Sequence, residues 1–161
     1  MSTKEKRNVS EAGAMNFRSH ERIIMSYLTN FYTEHKDVVE KKMVPIVEEG
    51  YPISLRFIET FITKYCKENR IIISNKKSNN FIVYENYKEQ LRSYDKQHFD
   101  PFKRKHHVLF NYKKGRFIHT TVGQLNFFRW IEENEILDYI INNIDEIRKN
   151  IKNFKANKRL Y

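Results

Sequence analysis

Between Thr121 and Ile151 the chain reads "TVGQLNFFRWIEENEILDYIINNIDEIRKNI", and this stretch limits the fold more than any other. Ile136, Ile140, Ile144, Ile147 and Ile151 recur at helical spacing. Thr121 and Gln124 have the spacing of a capping box, so a helix should open just before "VGQLNFFRWIEEN". The two periodic runs should meet near Asn134, giving a helical hairpin or a helix-turn-helix-like corner. The last third is therefore helical, and the rest must supply the surface that covers it.

The remaining segments fit that role. "NFRSHERIIMSYLTNFY" places Phe17, Ile24, Tyr27, Leu28 and Phe31 on one broad helical face. A second helix could begin at Thr33, but Pro45 lacks an amide donor and must kink or end it. In "YPISLRFIETFITKYCKEN", Ser54 is a plausible N-cap, and Leu55, Ile58, Phe61, Ile62 and Tyr65 form an apolar stripe with Cys66 at its border. "RIIIS" and the start of "FIVYENYKEQLRSYDK" can pair across "NKKSNN", with Tyr87 to Tyr94 then turning helical. In "HHVLFNYKKGRFIHTT", Val108, Phe110 and Tyr112 alternate, "KKG" supplies a turn, and Phe117 and Ile118 return. Leu109 breaks the alternation, as expected of a strand covered on both faces. Phe110 and Phe117 are both expected to pack against helices.

The fold class that follows is α+β: a small helix-dominated domain with one or two short β-hairpins and a C-terminal helical hairpin. Twelve Phe and ten Tyr among 161 residues can fill one core, whereas four Gly and three Pro disfavour a loop-built scaffold. The organisation reads as a flexible N-terminal arm over 1–15, a single domain over 16–151 and a basic tail over 152–161. No internal repeat is visible. Cys66 is the sole thiol, which excludes an intrachain disulfide and a cysteine zinc cluster within one chain. Neither a signal peptide nor a transmembrane helix is expected.

Charge narrows the function. Thirty Lys and Arg against twenty Asp and Glu give a net charge of +10, which favours polyanions such as DNA or RNA, an anionic membrane surface or an acidic protein. An A/T-rich genome would also raise Lys, Asn and Ile together. The cations are concentrated in "FDPFKRKHHVLFNYKKGRF", where Lys103, Arg104, Lys105, Lys113, Lys114 and Arg116 bracket one strand and its turn. Lys152, Lys155, Lys158 and Arg159 extend the set into the tail. These ten are the candidate nucleic-acid contacts, with Tyr112 or an exposed histidine available to stack on a base or sugar.

Chemistry finds less support. There is no P-loop, GxGxxG, HExxH or GxSxG segment, and no catalytic residue or cofactor is assigned. His98, Asp100, His106, His107 and His119 could in principle bind a metal. Their spacing matches no ligand signature, however, and the expectation is a satisfied or solvent-facing histidine cluster, with no metal assigned. Glu85 and Glu89 lie one helical turn apart but should pair with Lys88 and Arg92. A compact enzyme would require Asp95, Asp100 and His106 or His107 to converge. Trp130 reads as core, and Arg129 could pin Glu132 or Glu133.

"FIVYENYKEQLRSYDKQHFDPFKR", "TTVGQLNFFRWIEENEILDYI" and "YPISLRFIETFITKY" together resemble a family of small, largely uncharacterised proteins of nucleocytoplasmic large DNA viruses, including iridoviruses and giant viruses of amoebae. The resemblance covers roughly residues 50 to 145, and "GQLNFFRW" is its most distinctive part. The family pattern commonly has cysteine where this chain has Lys103, and Arg and acidic residues in the later part of "KRKHH". That departure speaks against a thiol or metal role at Lys103. The resemblance implies a viral origin and an infected-cell setting, in the host cytoplasm, a viral factory or the virion, and no enzyme class. The functional expectation is a non-enzymatic protein that associates with nucleic acid through phosphate contacts. The alternatives are a structural or protein-interaction module of the virion or its assembly pathway, and a compact metal-dependent nuclease. Oligomeric state is left open.

Overall fold

The structure, a computed structural model, describes the backbone of residues 18–159 and the side chains of 18–152. The expected arm over 1–15 and Phe17 lie outside the described residues. So do the side chains of Lys155, Lys158 and Arg159, although the last helix runs as far as Arg159.

Helix α1 (Ser19–Glu34) buries Glu21, Ile24, Met25, Leu28, Phe31 and Tyr32, a stripe at three- and four-residue steps. Tyr27, expected on that face, is half exposed, and its hydroxyl donates to Glu133 Oε1 at 3.3 Å. After His35 the chain forms α2 (Lys36–Val38) and continues as two π-helical turns, Val39–Met43 and Pro45–Glu49. Pro45 opens the second turn, where its fixed φ and missing amide are tolerated. Gly50 then ends the run with φ +65°. Ser54 Oγ accepts the Phe57 amide at 3.0 Å and caps α3 (Leu55–Thr60), which passes through a π-helical turn, Phe61–Tyr65, into α4 (Cys66–Asn69). Leu55, Ile58, Phe61, Ile62 and Cys66 are all buried, as the stripe requires.

Both expected hairpins form. Strands β1 (Ile72–Ile73) and β2 (Phe81–Ile82) pair antiparallel across the polar loop. Helix α5 (Val83–Tyr94) follows at once, four residues earlier than its polar pattern suggests. Strands β3 (His107–Lys113) and β4 (Arg116–Thr121) join through Lys114 and Gly115, and Gly115 takes φ +78°. The register sets Phe110 opposite Ile118, and an irregularity follows between Asn111 and Lys113. Val108, Phe110 and Ile118 therefore face the core, while Phe117, opposite Asn111, points outward and is half exposed. The expectation that Phe117 packs inward is corrected by this register. Leu109 is partly covered.

Helix α6 (Val122–Glu133) is the centre of the core. Thr121 Oγ1 accepts the Gln124 amide at 3.1 Å, so the predicted cap is in place. Val122, Leu125, Phe127, Phe128, Trp130 and Ile131 are each at most 2 % exposed, the pattern of a helix covered on all sides. Each such side chain contributes about 1.5–3 kcal/mol on burial. A turn at Asn134 and Glu135 leads to α7 (Ile136–Asn142) and then α8 (Ile144–Arg159), with Ile136, Ile140, Ile147 and Ile151 buried. The result is a helix-dominated α+β fold with two short hairpins and a helical C-terminal part. Among the described residues, no helix is long and apolar enough to cross a membrane.

Candidate functional site

The 3-10 turn Lys96–His98 links α5 to a short loop, residues 99–106, that enters β3. Asp95 sits at φ +61°, and its Oδ1 accepts the amides of Gln97 and His98 at 2.8 and 3.3 Å, which fixes that turn. Phe99 is buried against Trp130 and Phe127, and Asp100 Oδ1 accepts the Phe102 amide at 2.8 Å. The loop is therefore anchored by Phe99 and turned outward at Phe102. Gly123 allows the close approach of α6 beneath it, because a Cβ there would stand 2.6 Å from the Asp100 carbonyl oxygen.

That loop presents Lys103, Arg104 and Lys105, all exposed and with no ion pair among the described residues. Phe102 precedes them, 38 % exposed, with the Arg56 guanidinium 4.2 Å from its ring centroid. The sequence reading did not single out Phe102 or Arg56. Its signal was the flanking "DPF", which turns the aromatic away from the core-bound Phe99.

The second group of cations lies elsewhere. Lys113, Lys114 and Arg116 occupy the far end of the hairpin, separated from the loop by the length of β3, about 20 Å. Lys113 and Arg116 reach Glu40 at 3.2 and 3.6 Å, so their charge is partly compensated, while Lys114 is exposed without an ion pair among the described residues. Glu40, Lys113, Lys114 and half-buried Tyr112 border a cleft of about 470 Å³ between α1, α2 and β3. Lys152 is exposed on α8. The cations thus form separate clusters along the hairpin rather than one edge.

The histidines also divide. His107 and His119 are exposed on β3 and β4. His98 and His106 come together, with stacked rings 4.8 Å apart at 22°. Between them stands Glu21 from α1, with Oε1 at 3.2 Å from His98 Nε2 and 3.7 Å from His106 Nε2. Asp95, not Asp100, touches His98, through Nδ1 at 3.1 Å. Burial works to raise the Glu21 carboxyl, but hydrogen bonds from its own backbone and from His98, together with both imidazoles, outweigh it and hold the pKa below the ordinary value. Burial and the neighbouring His98 lower that of His106. Glu21 was missed in the sequence because it is far from the histidines, although its place three residues before Ile24 on the buried stripe marks it.

Glu85 and Glu89 are exposed on α5, and Lys88 lies over the Tyr84 ring, 5.0 Å from its centroid, instead of pairing with them. Arg129 is buried and holds Glu133 Oε2 at 2.8 Å, Asn126 Oδ1 at 2.9 and 3.0 Å, and Gln90 Oε1 at 3.1 Å. Asn126 in turn donates to the His98 carbonyl at 2.8 Å, and Trp130 Nε1 donates to Asn86 at 2.7 Å. This polar network fixes α6 against α5 and the His98 turn.

The sequence profile of a family described as a family of unknown function, DUF7197, matches residues 4–160. An uncharacterised protein of Acanthamoeba polyphaga mimivirus is 34% identical over 154 residues, which cover 90% of this chain and 59% of the relative. The chain thus spans somewhat less than two thirds of that relative's length. No solved structure matches the chain. The resemblance to proteins of large DNA viruses holds, since the relative is a giant-virus protein. With nearly its whole length matched, the chain belongs to the DUF7197 family, a family of unknown function.

Proposed function

We propose that this chain is a non-enzymatic protein that associates with nucleic acid through phosphate contacts. The observation that carries the reading is the exposed triplet Lys103, Arg104 and Lys105, uncompensated by any carboxylate among the described residues and held on an anchored loop. Cations already paired with acids gain less from a phosphate, which ranks Lys113 and Arg116 below the triplet and Lys114. Phe102 offers an aromatic face beside the triplet for a base of a single strand. Lys152, Lys155, Lys158 and Arg159 supply further attraction without sequence readout.

A second reading, a protein-interaction module of the virion or its assembly pathway, is favoured by Ile23 and Tyr27. They lie one turn apart on α1 and are 69 % and 47 % exposed. The two readings separate in a binding series that sets labelled DNA duplex, DNA single strand and RNA against an acidic protein of matched charge. Preference for the nucleic acids supports the first reading. Binding to the acidic protein alone supports the second.

A further inference from the structure

Glu21, His98 and His106 converge from α1, the 3-10 turn and the end of the loop, and phosphate binding makes no use of them. We propose that these three side chains form a site for one divalent first-row transition-metal ion, with zinc the best match to the ligand chemistry. Two imidazole nitrogens and one carboxylate are a borderline-soft donor set that suits zinc and disfavours magnesium, which takes oxygen.

The distances fit. Ligands about 2.0–2.1 Å from a tetrahedral zinc stand about 3.4 Å from one another. Here Glu21 Oε1 lies 3.2 and 3.7 Å from the two Nε2 atoms, and the three ligand atoms all lie within 4.8 Å of one another. Coordination requires both in-plane lone pairs to meet at one point. The rings are 22° from parallel, so binding turns the His106 ring, whose side chain is 22% exposed against 5% for His98.

Hydrogen bonding around His98 points the same way. Its Nδ1 lies 3.1 Å from the Tyr94 carbonyl and 3.1 Å from Asp95 Oδ1, two acceptors that require the proton on Nδ1. In a neutral ring that leaves a lone pair on Nε2 facing the carboxylate oxygen of Glu21 at 3.2 Å. Two acceptors in a buried contact need a cation between them, either a proton or a metal ion. An outer carbonyl or carboxylate on the second ring nitrogen is the usual companion of a ligating histidine. A separate observation bears on the choice: Glu21 is 5 % exposed, and its Oε2 is buried without a hydrogen-bond partner. A proton shared with His98 satisfies only Oε1, whereas a metal ion can draw on either oxygen.

The position of the site gives the ion a purpose. His98 and His106 flank the loop that carries Lys103, Arg104 and Lys105, so an ion bound to both and to Glu21 would pin the two ends of that loop to α1. On the His106 side Gln97 Oε1 stands 3.3 Å from Nε2, a contact that His106 gives up when its ring turns to the ion.

The test uses the full chain, stripped with a chelator and titrated with zinc in competition with a chromophoric chelator, with no nucleic acid present. Its result is therefore independent of the phosphate reading. One equivalent should bind at submicromolar dissociation constant, and His106→Ala and Glu21→Gln should each weaken it at least tenfold. His107→Ala, which removes an exposed neighbour, should leave it unchanged. His106→Ala alters a partly exposed loop position, and an unchanged urea midpoint of the metal-free variant shows that it still folds. Cobalt should give the visible bands of a four-coordinate ion, lost in His106→Ala. Zinc binding weaker than about 10 µM, or an affinity indifferent to His106→Ala, would overturn the proposal and leave a buried imidazolium–carboxylate pair.

Discussion

Nε2 of His98 stands 3.2 Å from Oε1 of Glu21 across 77 residues of chain, and both side chains are almost fully buried. This contact joins the first helix to the turn from which the cationic loop departs. A buried ionisable pair is weak support for stability as a pair, yet removing one partner strands the other without solvent.

That asymmetry predicts different outcomes for two substitutions in metal-free protein. His98→Leu takes away the hydrogen-bonded partner of the buried Glu21 carboxylate and leaves it only His106, 3.7 Å away, so it should cost up to about 3–5 kcal/mol. Glu21→Gln removes the charge and offers His98 an amide donor, so its cost should be markedly smaller. Urea denaturation of both variants reads the difference, and equal losses would contradict the arrangement of partners described for His98.

Arg129→Met should be among the most destabilising changes in the chain. The guanidinium is held by Glu133, Asn126 and Gln90, and an apolar replacement leaves the buried Asn126 oxygen without its donor and Glu133 with only the Tyr27 hydroxyl and Lys77. The expected loss is about 3–5 kcal/mol by chemical denaturation. A loss below 1 kcal/mol would mean that the network is solvated.

Gly123→Ala would ordinarily favour a helix by about 1 kcal/mol. Here the new methyl meets the backbone oxygen of Asp100 at 2.6 Å, and backbone cannot swing aside as a side-chain tip can. The clash should prevail, with a net destabilisation of about 1–3 kcal/mol. A stabilised variant in thermal unfolding would show that α6 and the loop are not in such close contact.

The Cys66 thiol is 1 % exposed, and burial pushes its pKa far up. It should resist iodoacetamide in the native protein and react at the rate of a free thiol in denaturant. Fast native alkylation, followed by mass, would contradict the packing of α4.

Much of this fold was legible because its signals are local. Ser54 and Thr121 cap the helices that their spacing announces, Gly115 makes the turn between β3 and β4, and the isoleucines from Ile136 to Ile151 mark a face. What was not legible depended on partners distant in the chain. Glu21 looks like a solvated residue in "SHER" until α1 meets the His98 turn. The outward turn of Phe117 follows from the cross-strand register, which seats its neighbour Ile118 opposite Phe110 on the core face and which neither strand reveals by itself. The cations near 103 and 113 looked like one edge because they are ten residues apart, yet an extended strand carries them to opposite ends of the hairpin.

The central claim is most directly tested by fluorescence anisotropy with a labelled DNA duplex across a salt series, comparing the native chain with one carrying Lys103→Gln, Arg104→Gln, Lys105→Gln and Lys114→Gln. All four positions are exposed, so the variant should keep its urea midpoint. The phosphate reading predicts binding that weakens steeply with salt, and a log–log slope reduced by about 1 for each cation that contacts a phosphate. Absence of binding at low salt, or a slope unchanged by the four substitutions, would contradict it.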